Sequence, residues 1–383
     1  MKKTLLLNFV YWMPVGHVVE ALKYAKGFSE SNKGLDIYVA INSASTPELI
    51  KGCSWIKDVY PVNIEEVWKH GKRAKSFIKI PKNWNYIITD KRSKELSNSG
   101  YEQKMKKFHS ITQQYLNANW KGYTNSWYLE GLPKGLNYKQ NAKITTKIPD
   151  SSINYVKKLL KKDKFRITVL LAGSADKGEY PCIDSWIYIL KEIKKSYPEV
   201  KFYITGVMKS RNGRTSTSAY SKEEVNRLIR ETDSVNCYNI GLWNQIALIK
   251  ESKIFFSPHT GFAFVSMCVG TPWLTLSGGN WPEYIFNDLP FYSVLPRSKE
   301  YPFYASKIKL GKLPLKEKRN VAQMDEEGIR KRMSDIIRGI KLLRTKLFTY
   351  KKAVKEHVRN IDKAGINKKA LFWFDKIKDF NLK

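Results

Sequence analysis

Two short stretches of the sequence hold residue types at spacings that could do chemistry. The first is Ser257-Pro258-His259-Thr260-Gly261, between a short apolar run and a helical stretch that continues through Phe262 and Ala263 to Val269. Thr260 is placed to cap that helix, and Gly261 lets the backbone approach a ligand closely. A helix N-terminus offers free backbone amides and partial positive charge, which suits a diphosphate. A simple capped turn is the alternative. The second stretch is Pro14-Val15-Gly16-His17, directly after an apolar N-terminal run. A histidine opening the helix after a first strand stands at the carboxyl edge of a sheet. An imidazole at that position can take a proton from a hydroxyl. A surface or capping histidine is the alternative there.

Other chemistries find no support. No two Asp residues stand two apart, as a metal–diphosphate Asp-x-Asp pair would need. The first strand is not followed by Gly-x-Gly-x-x-Gly, and there is no Walker-type loop. No Gly-x-Ser-x-Gly elbow occurs. The five histidines, at 17, 70, 109, 259 and 357, lack metal-ligand spacing. A reaction without a metal or a resident cofactor is therefore expected.

The elements that must position these residues alternate in type. TLLLNFV (4–10) reads as a buried strand rather than a secretory signal, because Asn8 interrupts the run and no small-x-small cleavage pattern follows. Val18, Ala21, Leu22, Ala25 and Phe28 then repeat at helical spacing. LDIYVAIN (35–42), Val59–Val62 and NYIITD (85–90) read as further strands, with a short helix from Pro47. Residues 91–130 show no clear period and read as an irregular insertion. Their aromatic part (Tyr101, Phe108, Tyr115, Trp120, Tyr123, Trp127, Tyr128) suits either an acceptor wall or local core. The same grammar restarts after a Gly-, Pro- and Lys-rich stretch. Strands are expected at 167–174, 201–206, 235–239, 253–257 and 273–276, and helices at 183–193, 222–232 and 242–249. Residues 209–221 read as a polar loop. This is α/β architecture, two doubly wound Rossmann-like domains with parallel sheets. The expected layout is an N-terminal domain at 1–140, a linker at 141–152, a second domain at 153–325 and a basic helical tail at 326–383. In such sheets ligands bind beyond the carboxyl ends of the strands. The loops Pro14–His17, Gly173–Lys177, Gly206–Lys209, Ser257–Gly261 and Ser277–Asn280 are therefore expected to line a cleft.

Composition sets the limits. At about 150 residues per domain, 383 residues make two domains the default. Hydrophobic residues are 42% and aromatics 13%, which excludes wholesale disorder. No apolar run is long enough to span a membrane. Four scattered cysteines without Cys-x-x-Cys fit a reducing compartment. The net charge of +33 is spread along the chain and is densest beyond residue 300. A basic surface attracts nucleic acid, anionic lipid or phosphorylated substrates, and a Lys-rich solvated surface is the plain alternative. In the tail, Ile329, Met333, Ile336, Ile337, Ile340, Leu343 and Leu347 form one apolar stripe. It suits a helix packed on the domains with snorkelling basic residues, or a membrane-surface helix.

The order of these motifs resembles the heptosyltransferase-like family of GT-B-fold enzymes, glycosyltransferase family 9. Gly16-His17-Val18-Val19-Glu20-Ala21-Leu22-Lys23 fills that family's first turn and helix, and Trp55-Ile56-Lys57-Asp58-Val59 its next stretch. In the second half, Ala172-Gly173-Ser174 stands for the family's Pro-Gly-Ala/Ser segment and Thr205-Gly206 for its Thr-Gly strand end. His259-Thr260-Gly261-Phe262-Ala263-Phe264-Val265-Ser266 is similar to its Asp-Thr-Gly-x-x-His-x-Ala donor motif. Gly270-Thr271-Pro272 and Leu276-Ser277-Gly278-Gly279 follow in the family's order. The family's first-turn Asp is His17 here, and its donor-motif Asp and His are His259 and Phe264.

The resemblance implies a glycosyltransferase. A nucleotide-diphosphate sugar would sit on the second domain, at Gly173, Ser174, Lys177, Gly206, Pro258–Ala263 and Ser277–Gly279. Lys177 and backbone amides would stabilise the leaving diphosphate. The acceptor, a surface glycan or a small molecule, would sit on the first domain near Pro14 and Gly16, with His17 as base and inversion at the sugar carbon. A cytoplasmic enzyme is implied, with peripheral contact at the inner face of an anionic membrane as a further expectation and no nucleic-acid partner. Two other readings share some of these features. A nucleotide-sugar 2-epimerase has the same fold but needs cleft carboxylates, of which Asp176 and Glu179 are the nearest. A nucleic-acid-binding protein would suit the charge, yet no zinc-finger or RNP-like motif accompanies it.

Overall fold

The computed structural model describes residues 2–11, 13–89, 100–126, 132–160, 163–173, 180–208, 219–277, 284–286, 288–295, 324, 326–364 and 372–373. The chain divides into two compact units. Unit 1 comprises Met1–Lys147, and unit 2 comprises Ile148–Arg211 with Thr215–Trp373.

Unit 1 is built on strands β1 (Lys3–Phe9), β2 (Leu35–Asn42), β3 (Asp58–Val62), β4 (Asn83–Thr89) and β5 (Lys121–Ser126). They form one parallel sheet in the order β3-β2-β1-β4-β5. Leu5, Leu6 and Leu7 of the central strand are fully buried. That is why the run reads as continuously apolar: a parallel strand is covered on both faces. Among the described residues the helices α1 (Val15–Ser31), α2 (Pro47–Lys51), α3 (Ile64–His70), α4 (Lys75–Ile78) and α5 (Gly100–Asn119) connect the strands. Helix α1 starts directly after Pro14, whose fixed φ suits a helix entry, and buries Val18, Ala21, Leu22, Ala25 and Phe28 as its spacing predicts. Residues 100–126 are not an irregular insertion: they supply α5 and the edge strand β5. Phe108, Tyr115 and Trp120 are buried in one core cluster with Leu6, Phe77 and Trp84, so they are core rather than an acceptor wall. Tyr101, Tyr123, Trp127 and Tyr128 lie outside the residues whose side chains are described.

Unit 2 contains β6 (Phe165–Leu170), β7 (Val200–Gly206), β8 (Val235–Tyr238), β9 (Ile254–Pro258), β10 (Trp273–Leu276), β11 (Tyr284–Ile285), β12 (Phe291–Val294) and β13 (Phe372–Trp373). Six of these form a second parallel sheet, β12-β10-β9-β6-β7-β8, and β11 pairs with β13. Its helices are α6 (Asp150–Leu159), α7 (Ile183–Ser196), α8 (Lys222–Thr232), α9 (Leu242–Lys250), α10 (Ser266–Val269), α11 (Glu326–Arg330), α12 (Met333–Leu343) and α13 (Tyr350–Lys363). Fully buried Trp186 of α7 donates its indole N–H to Leu171 O at 3.0 Å. Helix α8 carries a capping box between Ser221 and Glu224. The sequence gives no separate sign of β12, which extends the sheet beyond β10.

Among the described residues the basic tail forms three helices, α11, α12 and α13, rather than one. Ile329, Met333, Ile336, Ile340 and Leu343 are buried, so the apolar stripe is spent on packing. Leu347, in the turn that ends it, is 73% exposed. A Cβ on Gly339 of α12 would stand 2.7 Å from Leu274 of β10 and 2.7 Å from Tyr292 of β12. The helix therefore lies directly on the sheet. Gly339→Ala is expected to destabilise unit 2 by about 1–3 kcal/mol through overpacking. A thermal melt checks this: an unchanged melting temperature would mean that α12 is not docked as described.

Candidate functional site

In unit 1 the expected residues gather in one turn. Pro14 precedes α1, Gly16 is buried in its first turn, and the His17 amide donates to Pro14 O at 3.1 Å. The His17 ring is partly exposed, and its Nδ1 lies 3.2 Å from Glu20 Oε2. Glu20 is itself only 6% exposed. A carboxylate accepting from Nδ1–H fixes the tautomer in which Nε2 is the basic nitrogen. Glu20 is not singled out by any motif, and its only sequence signal is the spacing: a carboxylate three residues after a histidine lies on the same helical face.

The strand ends beside this turn hold a second group that went unread. Asn8 of β1 and Asn42 of β2 are fully buried. Each turns its side-chain oxygen to a backbone amide two residues on, Val10 N at 3.4 Å and Ala44 N at 2.9 Å. Their Nδ2 groups, and the buried Ser45 and Thr46 hydroxyls, have no hydrogen-bond partner. A buried unpaired donor costs on the order of 1–3 kcal/mol, so four on two neighbouring strand ends are an unusual concentration. An Asn closing each of two apolar strands was the available signal.

In unit 2 the strand ends bring the expected loops to one edge of the sheet. Gly173 follows β6 and Thr260 follows β9, and β6 pairs with β9. A Cβ on Gly173 would stand 2.7 Å from Thr260 Cβ and 3.0 Å from the Tyr180 hydroxyl, so only glycine fits there. Pro258 ends β9 opposite Leu276 of β10. The His259 amide donates to Leu276 O at 3.2 Å, and the Ser277 amide to Val294 O at 3.0 Å. Gly206 closes β7, and its carbonyl accepts from the Asn239 amide at 2.9 Å and from Gln245 Nε2 at 2.8 Å. Gly173, Gly206, Pro258–Ala263 and Ser277 therefore share the carboxyl edge. Ser174, Lys177, Gly278 and Gly279 lie outside the described residues.

The local structure at Thr260 corrects one expectation. Thr260 makes no side-chain cap, and Gly261–Val265 is a 3-10 turn that passes into the short α10. The 3-10 turn closes on the Thr260 carbonyl, which accepts from the Ala263 amide at 3.0 Å. The Thr260 hydroxyl is thus buried without a hydrogen-bond partner. An anion bound here would meet this hydroxyl and the loop amides rather than a helix dipole. His259 packs edge-on against Phe264 at 5.3 Å and Phe286 at 5.7 Å, so its ring belongs to an aromatic cluster that props the loop.

Other chemistry is weaker. Burial pushes the Cys53 thiol up to about 11 and Cys237 up to about 12, which keeps both neutral and poorly nucleophilic near pH 7. Among the described residues no three His, Cys, Asp or Glu side chains are grouped to hold a metal ion. No described helix is long and apolar enough to cross a membrane.

The sequence matches no family model and no curated protein. The structure is similar to a family 9 glycosyl transferase from Veillonella parvula, with a TM-score of 0.53 at 11% identity, over 88% of this chain and 98% of that one. It is also similar to ADP-heptose LPS heptosyltransferase II from E. coli, with a TM-score of 0.50 at 12% identity, over 92% and 99% of the two chains. A putative UDP-N-acetylglucosamine 2-epimerase from Listeria monocytogenes matches at a TM-score of 0.42 and 8% identity, over 97% and 100%. At these identities the likeness is one of fold. The chain has the α/β architecture of GT-B proteins, with a Rossmann-like parallel sheet in each unit.

Proposed function

We propose that this protein is a glycosyltransferase that moves a sugar from a nucleotide-diphosphate sugar to an acceptor hydroxyl, with inversion and without a metal. The observation that carries the reading is the carboxyl edge of unit 2. There Thr260, whose buried hydroxyl has no hydrogen-bond partner, sets its Cβ and methyl carbon against Gly173, a glycine that tolerates no side chain. A diphosphate oxygen would accept from that hydroxyl and from the loop amides. Lys177 would add positive charge as the leaving group departs. On unit 1, His17 Nε2 would take the acceptor proton while Glu20 stabilises the imidazolium that forms. The acceptor oxygen would bond to the anomeric carbon as the bond from that carbon to the diphosphate oxygen breaks. Asn8 and Asn42 would donate to acceptor oxygens. A glycan or small-molecule acceptor and a cytoplasmic location go with this reading.

Thr260→Val tests the donor side. In the free protein the change removes an unpaired hydroxyl at nearly constant shape, so the melting temperature is expected to hold or rise. Affinity for the nucleoside diphosphate is expected to fall by roughly tenfold or more, as a hydrogen bond to a charged group is lost. Calorimetric titration reads the second effect, and equal affinity in both proteins would remove Thr260 from the site. Transfer itself is tested by incubation with a nucleotide sugar and candidate acceptors, assigning the product anomer by NMR. An epimer accumulating without acceptor would favour the epimerase instead.

A further inference from the structure

We infer that unit 1 carries a docking lip for an anionic lipid bilayer, formed by residues 69–82. The lip runs from the end of α3 through the 3-10 turn Gly71–Arg73 and α4 to Lys82. Its inner side is anchored. Ala74 and Phe77 are fully buried, and Ile80 is 1% exposed. Phe77 stacks on Tyr115 at 4.5 Å between ring centroids, and the Tyr115 hydroxyl donates to Phe77 O at 3.2 Å. The Glu66 carboxylate accepts from the amides of Lys75 at 2.6 Å and Ser76 at 3.1 Å. The Trp84 indole donates to Pro81 O at 2.7 Å.

These anchors hold Ile78 outward, 68% exposed beside a fully buried phenylalanine. A lone exposed apolar side chain is ordinary on a protein surface. Ile78 differs in its setting. Lys69, Lys72, Arg73, Lys75, Lys79 and Lys82 are all exposed around it in the chain. No Asp or Glu occurs from Val67 to Thr89. Glu66, the nearest acid before them, is committed to backbone amides. A fixed aliphatic tip among six cations suits a bilayer: the tip enters the acyl boundary while the cations meet lipid phosphates. Single-stranded nucleic acid would instead be served by aromatic stacking, which an isoleucine does not offer. Ile329, Met333, Ile336, Ile340 and Leu343 of the C-terminal stripe are buried and are not available for this role.

The test uses the full chain with sedimented vesicles of phosphatidylcholine alone or mixed with phosphatidylglycerol. The protein is expected to bind the mixed vesicles, not the neutral ones, and to release as salt rises. A triple Lys72→Gln, Lys79→Gln, Lys82→Gln variant is expected to lose roughly a hundredfold in partitioning, about fivefold per lysine. Ile78→Ser is expected to lose roughly tenfold. A control triple on α13, Lys351→Gln, Lys352→Gln, Lys355→Gln, is expected to bind like the wild type. Melting temperatures equal to wild type certify that each variant is folded. The inference is overturned if the wild type ignores mixed vesicles, or if the control triple loses as much as the lip triple. It is also overturned if Ile78→Ser changes nothing, or if a single-stranded oligonucleotide binds the lip in preference to vesicles. None of these outcomes depends on the glycosyltransferase reading.

Discussion

His17→Ala is expected to slow sugar transfer by roughly a hundred- to ten-thousandfold, the usual contribution of a positioned general base. Donor affinity is expected to stay unchanged, because the proposed donor loops belong to unit 2. The fold should persist as well, since the His17 ring is partly exposed. Added imidazole should restore part of the rate in the alanine variant. A role confined to packing at the start of α1 would not show that rescue. Glu20→Gln should fall between wild type and His17→Ala, because the amide still orients the ring but no longer stabilises the imidazolium. Full activity in His17→Ala would remove the base from this position.

Gly173→Val is expected to have the largest effect on the donor side. Even a Cβ at this position would stand 2.7 Å from Thr260 Cβ and 3.0 Å from Thr260 Cγ2, and valine adds two further methyl groups. Either the β6 loop or the β9 loop must then move. The cost to stability is about 1–3 kcal/mol, typical of overpacking, and a thermal melt reads it directly. The displaced Thr260 hydroxyl and loop amides should also lower affinity for a nucleoside diphosphate by roughly a hundredfold, as about two charge-assisted hydrogen bonds are lost. A melting temperature and an affinity both equal to wild type would mean that the two loops do not meet.

Much of this was legible in the residues. The run that became β1 carries three consecutive leucines, Leu5–Leu7, without alternation because both faces of a parallel strand are buried. Helix α1 announces itself by its spacing after Pro14. What escaped reading did so for physical reasons. Helix α5 buries Thr112 and His109 beside Phe108 and Tyr115, so polar residues interrupt its inward face and the period is lost. Strand β12 is only four residues long and follows a proline, too little to stand out from loop. Thr260 looks like a cap in sequence, but the chain enters a 3-10 turn whose first bond uses the Thr260 carbonyl, leaving the hydroxyl buried. The tail stripe is real from Ile329 to Leu343. It ends where Arg344–Thr349 turns the chain, and so Leu347 faces out instead of in. At the candidate site, the glycines and His17 were readable as punctuation at strand ends. Glu20, Asn8 and Asn42 left only faint signals in the sequence and stand out in the structure, where Glu20 Oε2 lies 3.2 Å from His17 Nδ1 and both asparagine Nδ2 groups are buried without partners.

The central claim is that the carboxyl edge of unit 2 holds a nucleotide-diphosphate sugar without a metal. The most direct measurement is the melting temperature of the wild type and of Thr260→Val with UDP, GDP, ADP, CDP, dTDP and their sugars, each with and without EDTA. One nucleotide is expected to raise the wild-type melting temperature selectively, the rise to survive EDTA, and Thr260→Val to lose most of it. A flat response to every nucleotide, or a rise that EDTA abolishes or that Thr260→Val retains in full, would contradict it.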